Sequence, residues 1–149
     1  MKRLENLDKA IGEAMKGRER VRLDALRMLK TALLNREIEA GRRLDEPEAL
    51  KVVASLVKQR RDSIEQFIRG GRQELADKEA AEIAVLEEYL PPPADAAEVD
   101  QVIEEAIVET GAASAADLGR VMKLVMPRLA GKGVEGKEIN ARVRARLAR

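Results

Sequence analysis

Cysteine, histidine and tryptophan are absent from the 149 residues, and the aromatics reduce to Phe67 and Tyr89. Without cysteine there is no disulfide, which suits a reducing compartment. Without cysteine or histidine there is no ordinary zinc site, no thiolate nucleophile and no imidazole base. So few aromatics argue against a β-sandwich core and against a platform on which single-stranded bases could stack. No apolar run approaches the roughly 18 residues of a membrane-spanning helix. The first residues, MKRLENLDKAIGEAM, mix acids with apolar positions and show no secretory core. These absences lead to the expectation of a soluble cytoplasmic protein with no membrane partner.

What is present is charge and helical periodicity. Lys and Arg number 28 against 27 Asp and Glu, a net charge of +1, so any affinity for nucleic acid must come from local clustering. Leu4, Leu7, Ile11 and Met15 are spaced for a first helix over about 3–16. A second, over about 18–40, carries Leu26, Leu29, Leu33 and Ile38 and stops at Gly41. Asp45 with Glu48 three residues on, and Pro47 between them, reads as a capping box. It opens a third helix that runs to about Arg69 and breaks at Gly70-Gly71. The fourth, about 72–89, carries Leu75, Ile83 and Leu86.

Pro91-Pro92-Pro93 cannot continue a helix. The boundary is placed there, with an N-terminal helical bundle over 1–90, a proline-rich hinge at 91–93 and a C-terminal domain over 94–149. In that domain Asp95/Glu98 and Ser114/Asp117 repeat the cap spacing. Helices are expected over about 95–110, from Ser114 with a kink or restart at Pro127, and over about 136–148. The fold class is all-α, four helices followed by three. The second domain, under about 60 residues, is at a size where a lone core is marginal.

The strongest electrostatic feature lies in this domain. From residue 118 onward, Arg120, Lys123, Arg128, Lys132, Lys137, Arg142, Arg144, Arg146 and Arg149 face only Glu135 and Glu138. Residues 95–117 hold acids and no Lys or Arg. Arg120, Lys123, Arg128, Lys132, Lys137, Arg142 and Arg146 are the candidate phosphate contacts. The competing reading pairs the basic helices with the acidic one as an ordinary solvated face. Lys58-Gln59-Arg60-Arg61 reads as charge on a bundle surface, and Glu79/Glu82 and Glu104/Glu105 as solvated carboxylates. Gly131-Lys132-Gly133 lacks the P-loop pattern and a preceding strand. No serine has a base partner, so no catalytic, metal or cofactor residue is assigned.

Several stretches carry a resemblance. Asp117–Met122 (DLGRVM), the Gly131–Gly133 loop, and Lys137 followed by Ile139-Asn140 resemble the tail of the B subunit of tRNA-dependent amidotransferases. LRMLKTALLNREIEAGR at 26–42, the long run 57–91 and Met126-Pro127 resemble the stand-alone GatB/YqeY family. The resemblance covers nearly the whole chain, departing from the tail pattern at Pro127. It implies the all-α architecture, a tRNA or folded-RNA partner, and amidotransferase subunits as possible protein partners. The family-level class it implies is carbon–nitrogen ligase with glutamine as amido-N-donor. The expected role is an RNA-binding accessory without catalysis of its own. The alternative is a protein-interaction adaptor, which an exposed Phe67 or Tyr89 would favour.

Overall fold

Glycine, proline and capping acids punctuate the chain where its helices begin and end. The structure, a computed structural model, describes residues 2–149, with side chains from Leu4 onward. Among these residues all regular structure is helical: α1 (Lys2–Glu5), α2 (Leu7–Lys16), α3 (Arg20–Ala40), α4 (Glu46–Arg69), α5 (Gln73–Glu87), α6 (Ala96–Thr110), α7 (Leu118–Arg128) and α8 (Gly136–Leu147). A single 3₁₀ turn, Ala115–Asp117, leads into α7. The fold is all-α. The one division not expected is at Asn6, which splits the first helix into α1 and α2.

The caps act as their spacing predicts. Asp45 accepts from the Glu48 N–H at 2.9 Å, and Glu48 accepts in return from the Asp45 N–H at 3.2 Å. Two hydrogen bonds from the Arg42 guanidinium, at 2.7 and 2.8 Å, add to that bond and hold the Glu48 carboxyl down at about 2. Asp117 accepts from the N–H groups of Ala113 and Ser114 and pairs with Arg120; it too is lowered to about 2. Gly41 and Gly111 close α3 and α6 in the left-handed conformation.

Both carboxyls are depressed in the folded state, so their contribution is present above their ordinary values of 4.5 and 3.8 and is lost as pH falls towards about 2. The melting temperature is expected to be insensitive to these groups from neutrality down to about pH 5 and to fall below it. Glu48→Gln and Asp117→Asn should flatten that acid limb in circular-dichroism melts from pH 7 to 2. An unchanged limb in both variants would show that other groups govern acid unfolding.

The turn after α2 is unusual. The Glu19 N–H donates to the Ala14 carbonyl at 3.0 Å and the Arg18 N–H to Met15 at 3.2 Å, the paired bonds of a Schellman ending. Such an ending places a left-handed residue just past the helix, usually glycine. Here Gly17 is right-handed and Arg18 carries the positive φ of 53°. For a residue with a Cβ this conformation is disfavoured by about 1–2 kcal/mol.

The chain divides into two compact units, one ending at Leu90 and one spanning Pro91–Arg149. In the first, α5 packs against α3 and α4, and α2 against α3. Leu26, Leu29, Val53 and Leu86 are fully enclosed there. Tyr89 is buried, and Phe67 is half-buried beside an exposed Ile68.

This core also corrects the surface reading of its charges. Arg60 and Glu82 are buried, 6% and 5% exposed, with Arg60 Nε donating to Glu82 Oε2 at 3.1 Å. Glu79 Oε2 lies 3.6 Å from the same nitrogen and accepts no hydrogen bond. The Met28 sulfur touches Arg60 Nη2. Arg61, by contrast, stays exposed and reaches Glu87 at 3.5 Å. The reason is periodic: Val53, Val57 and Arg60 fall on one face of α4, so the middle of the polar run turns into the core.

In the second unit, Val99, Ile103 and Ala106 of α6 meet Val121 and Val125 of α7, Leu129, and Ile139, Val143 and Leu147 of α8. Pro127 does not restart the helix, which is continuous from Leu118 to Arg128. It stands in the last turn, and the helix ends one residue later at Arg128. Proline denies Lys123 its usual helical donor, and the chain passes into a turn in which the Lys132 N–H donates to Leu129 at 3.1 Å. Gly131 and Gly133, both left-handed, shape the loop to α8. The Ala94 N–H, just past the prolines, donates to the Lys132 carbonyl at 2.9 Å. Among the described residues no helix is long and apolar enough to cross a membrane.

Candidate functional site

The seven cations singled out in the sequence come from α7, α8 and the loop between them, and the second unit sorts them into two groups. Five are engaged. Arg120 pairs with Asp117 and donates to the Thr110 carbonyl at 3.1 Å. Arg128 reaches Glu109 at 2.5 Å. Lys132 pairs with Glu98. Arg142 pairs with Asp100 at 3.0 Å and with Glu138 at 3.4 Å. Arg146 clasps Glu104 with both Nε and Nη2, the latter at 2.9 Å. Glu98, Asp100, Glu104 and Glu109 all belong to α6, so the acidic helix neutralises the facing flanks of α7, α8 and their loop.

The pairing shifts the groups as expected. The Arg146 guanidinium holds the Glu104 carboxyl below its ordinary value, and Arg128 does the same to Glu109. Both arginines are raised in return by their carboxylates. These are exposed pairs, each contributing little to stability and weakening with salt.

Lys123 and Lys137, the other two, are exposed and make no ion pair among the described residues. Helical geometry explains the difference. At about 100° per residue, Arg142, Arg146 and Arg149 lie on one side of the Ile139–Val143–Leu147 stripe of α8. Lys137 and Arg144 lie on the other. Arg144 donates to Asn140 at 2.6 Å and, among the described residues, pairs with no carboxylate. On α7, Arg128 points to α6, while Met126 lies on the opposite flank against α8, its Cε 3.2 Å from where a Cβ on Gly136 would stand. Lys123 leans to that same flank. One turn earlier Gly119 leaves the backbone open, with no atom within 4 Å of a Cβ position.

Lys123, Lys137 and Arg144 thus lie off the flanks of α7 and α8 that pair with α6. Arg144 counts in the sequence as one cation of nine. Only its position relative to α6 separates it from its neighbours. Among the described residues no group of three or more acidic side chains converges as a metal site.

This helical unit and the bundle before it match a known family together: residues 4–147 fit the family described as Yqey-like protein. The chain belongs to the YqeY-like family. Among curated proteins it is similar to "Altered inheritance of mitochondria protein 41, mitochondrial" from several fungi. The Lachancea thermotolerans protein is 35% identical over 107 residues, 70% of this chain and 57% of that protein. The Kluyveromyces lactis protein is 33% identical over 106 residues, 69% of this chain and 57% of its own length. The Pyrenophora tritici-repentis protein is 25% identical over 144 residues, 94% of this chain and 78% of its own.

The YqeY-like chain thus spans little more than half the length of the first two relatives. Their names overturn the expectation of a cytoplasmic location. A lack of cysteine and of apolar runs excludes certain chemistries and helical spans, but it encodes no cellular address.

Proposed function

We propose that this YqeY-like chain is a non-catalytic accessory that binds folded RNA, tRNA above all, along its phosphate backbone. The observation that carries the reading is the set Lys123, Lys137 and Arg144 on α7 and α8, which among the described residues pair with no carboxylate. Gly119 lets a phosphate approach the α7 backbone. With no aromatic residue in 94–149, contacts to shape and backbone are the recognition open to it. The tie to carbon–nitrogen ligase chemistry with glutamine as amido-N-donor is a context for the accessory, in which amidotransferase subunits would be its protein partners.

Filter binding of bulk tRNA to the full chain tests this. Affinity should fall steeply with salt, and Lys123→Ala/Lys137→Ala should weaken binding about tenfold and reduce the salt slope by about 1–2. Arg142→Ala/Arg146→Ala, which removes cations already facing Asp100 and Glu104, should have the smaller effect. Absence of tRNA binding at low salt sinks the proposal. A larger loss from the Arg142/Arg146 pair moves the contact to the other flank. Amidation of misacylated tRNA, with and without the added chain, tests the amidotransferase context separately.

A further inference from the structure

The first unit holds a second unspent concentration of positive charge. Arg22, Arg36, Arg42, Arg60, Arg61 and Arg72 each touch a carboxylate. Among the described residues Arg43 and Arg69 touch none, nor does the group Arg18, Arg20 and Arg27. These three line one depression of about 420 Å³, with Leu23 and Asp24 completing its wall. The side-chain contact made by Arg27 is to the Met15 thioether at 3.7 Å, a weak acceptor that leaves most of its five donors unspent. Glu19 adds no carboxylate to the wall; its Oε2 lies over Gly17, 3.5 Å from where a Cβ there would stand.

The charge of the lining is three arginines against Asp24, a surplus of two. That surplus matches a phosphate monoester, which carries about −1.5 to −2 at pH 7 and presents three acceptor oxygens. Guanidinium forks suit those oxygens better than point charges do. The volume exceeds what one phosphate fills, and Leu23 supplies an apolar surface for an attached organic body. The backbone adds an independent sign. Arg18 holds the left-handed position that glycine takes without steric cost, although Gly17 stands one residue earlier. Strain kept at a charged residue on the rim of a depression fits a binding role.

The geometry points to a binding site for a small phosphate monoester at the α2–α3 junction, in which Arg18, Arg20 and Arg27 hold the phosphate oxygens and Leu23 the body attached to them. The site lies in the other unit from Lys123 and Lys137, and it does not depend on RNA binding.

The test titrates the full chain with inorganic phosphate, adenosine monophosphate and glucose 6-phosphate at fixed ionic strength. Backbone amide shifts and calorimetry provide the readouts. Saturable shifts are expected at residues 17–27, with an ester bound more tightly than phosphate. The nucleotide being preferred would identify a planar base against Leu23, and the sugar phosphate a polar body. Arg20→Ala and Arg27→Ala should each weaken binding about tenfold, the loss of one charge-assisted contact.

Arg18→Gly separates binding from folding: its melting temperature should be equal or higher while its affinity falls about tenfold. No saturation by any of the three ligands overturns the site. So does an Arg18→Gly protein that binds as well as the parent. Inorganic phosphate binding as tightly as both esters overturns the assignment to an ester.

Discussion

Arg60→Met is expected to lower the melting temperature of the first unit by about 10 °C or more. Removing one partner of a buried ion pair costs about 3–5 kcal/mol, because the remaining charge stays in a poorly solvated site. Each kcal/mol moves the transition of a domain this size by about 4–8 °C. Here the loss leaves two carboxylates, Glu82 and Glu79, without their shared guanidinium. Glu82→Gln should cost less, since the Glu79 carboxylate, 3.6 Å from Arg60 Nε, still balances the guanidinium charge. The double change Arg60→Met/Glu82→Leu should recover most of the loss or exceed the parent, as apolar replacements of buried pairs often do. Thermal and urea unfolding of the four proteins compares these losses. A single Arg60→Met loss under about 1 kcal/mol would mean that water reaches the pair.

The second large effect concerns α6. Asp100→Asn/Glu104→Gln/Glu109→Gln removes the carboxylates that hold Arg142, Arg146 and Arg128. The pairs are exposed, so the cost to folding should be small. The consequence for a polyanion should be large. Loss of three carboxylates raises the net charge from +1 to +4, and Arg142 keeps only Glu138. Affinity for tRNA at low salt should rise about tenfold or more, and the salt slope should steepen by as much as about one for each cation that finds a phosphate. On this reading α6 acts as an internal competitor for phosphate. Unchanged affinity in a folded variant would remove the α6-facing flank from any role in binding.

The helices were legible in the sequence because their signals are local. Apolar spacing marked each stripe, and the Asp45/Glu48 box and Gly41 marked ends that depend only on neighbouring residues. The features missed were those that depend on partners far along the chain. Arg60 sits inside a run that reads as solvent-facing, and only the approach of α5 turns it into a buried residue. Asn6 breaks a continuous apolar pattern, and Pro127 ends a helix that the apolar pattern alone would carry further. Arg18 occupies the turn position its glycine neighbour would be expected to take.

The same division holds for the candidate sites. Composition by itself determined that no disulfide, no imidazole chemistry and no aromatic stacking surface in the second unit are available. It also determined that nine cations gather after residue 118 with seven acids in the stretch 95–117. Whether those charges meet was decided by tertiary structure alone. Ion pairing falls off over a few ångströms, and Arg146 lies 42 residues from Glu104 in sequence but within hydrogen-bond reach in space. The packing of α8 against α6 occupies Arg142 and Arg146, and the direction of the opposite flank leaves Lys137 and Arg144 clear of carboxylates.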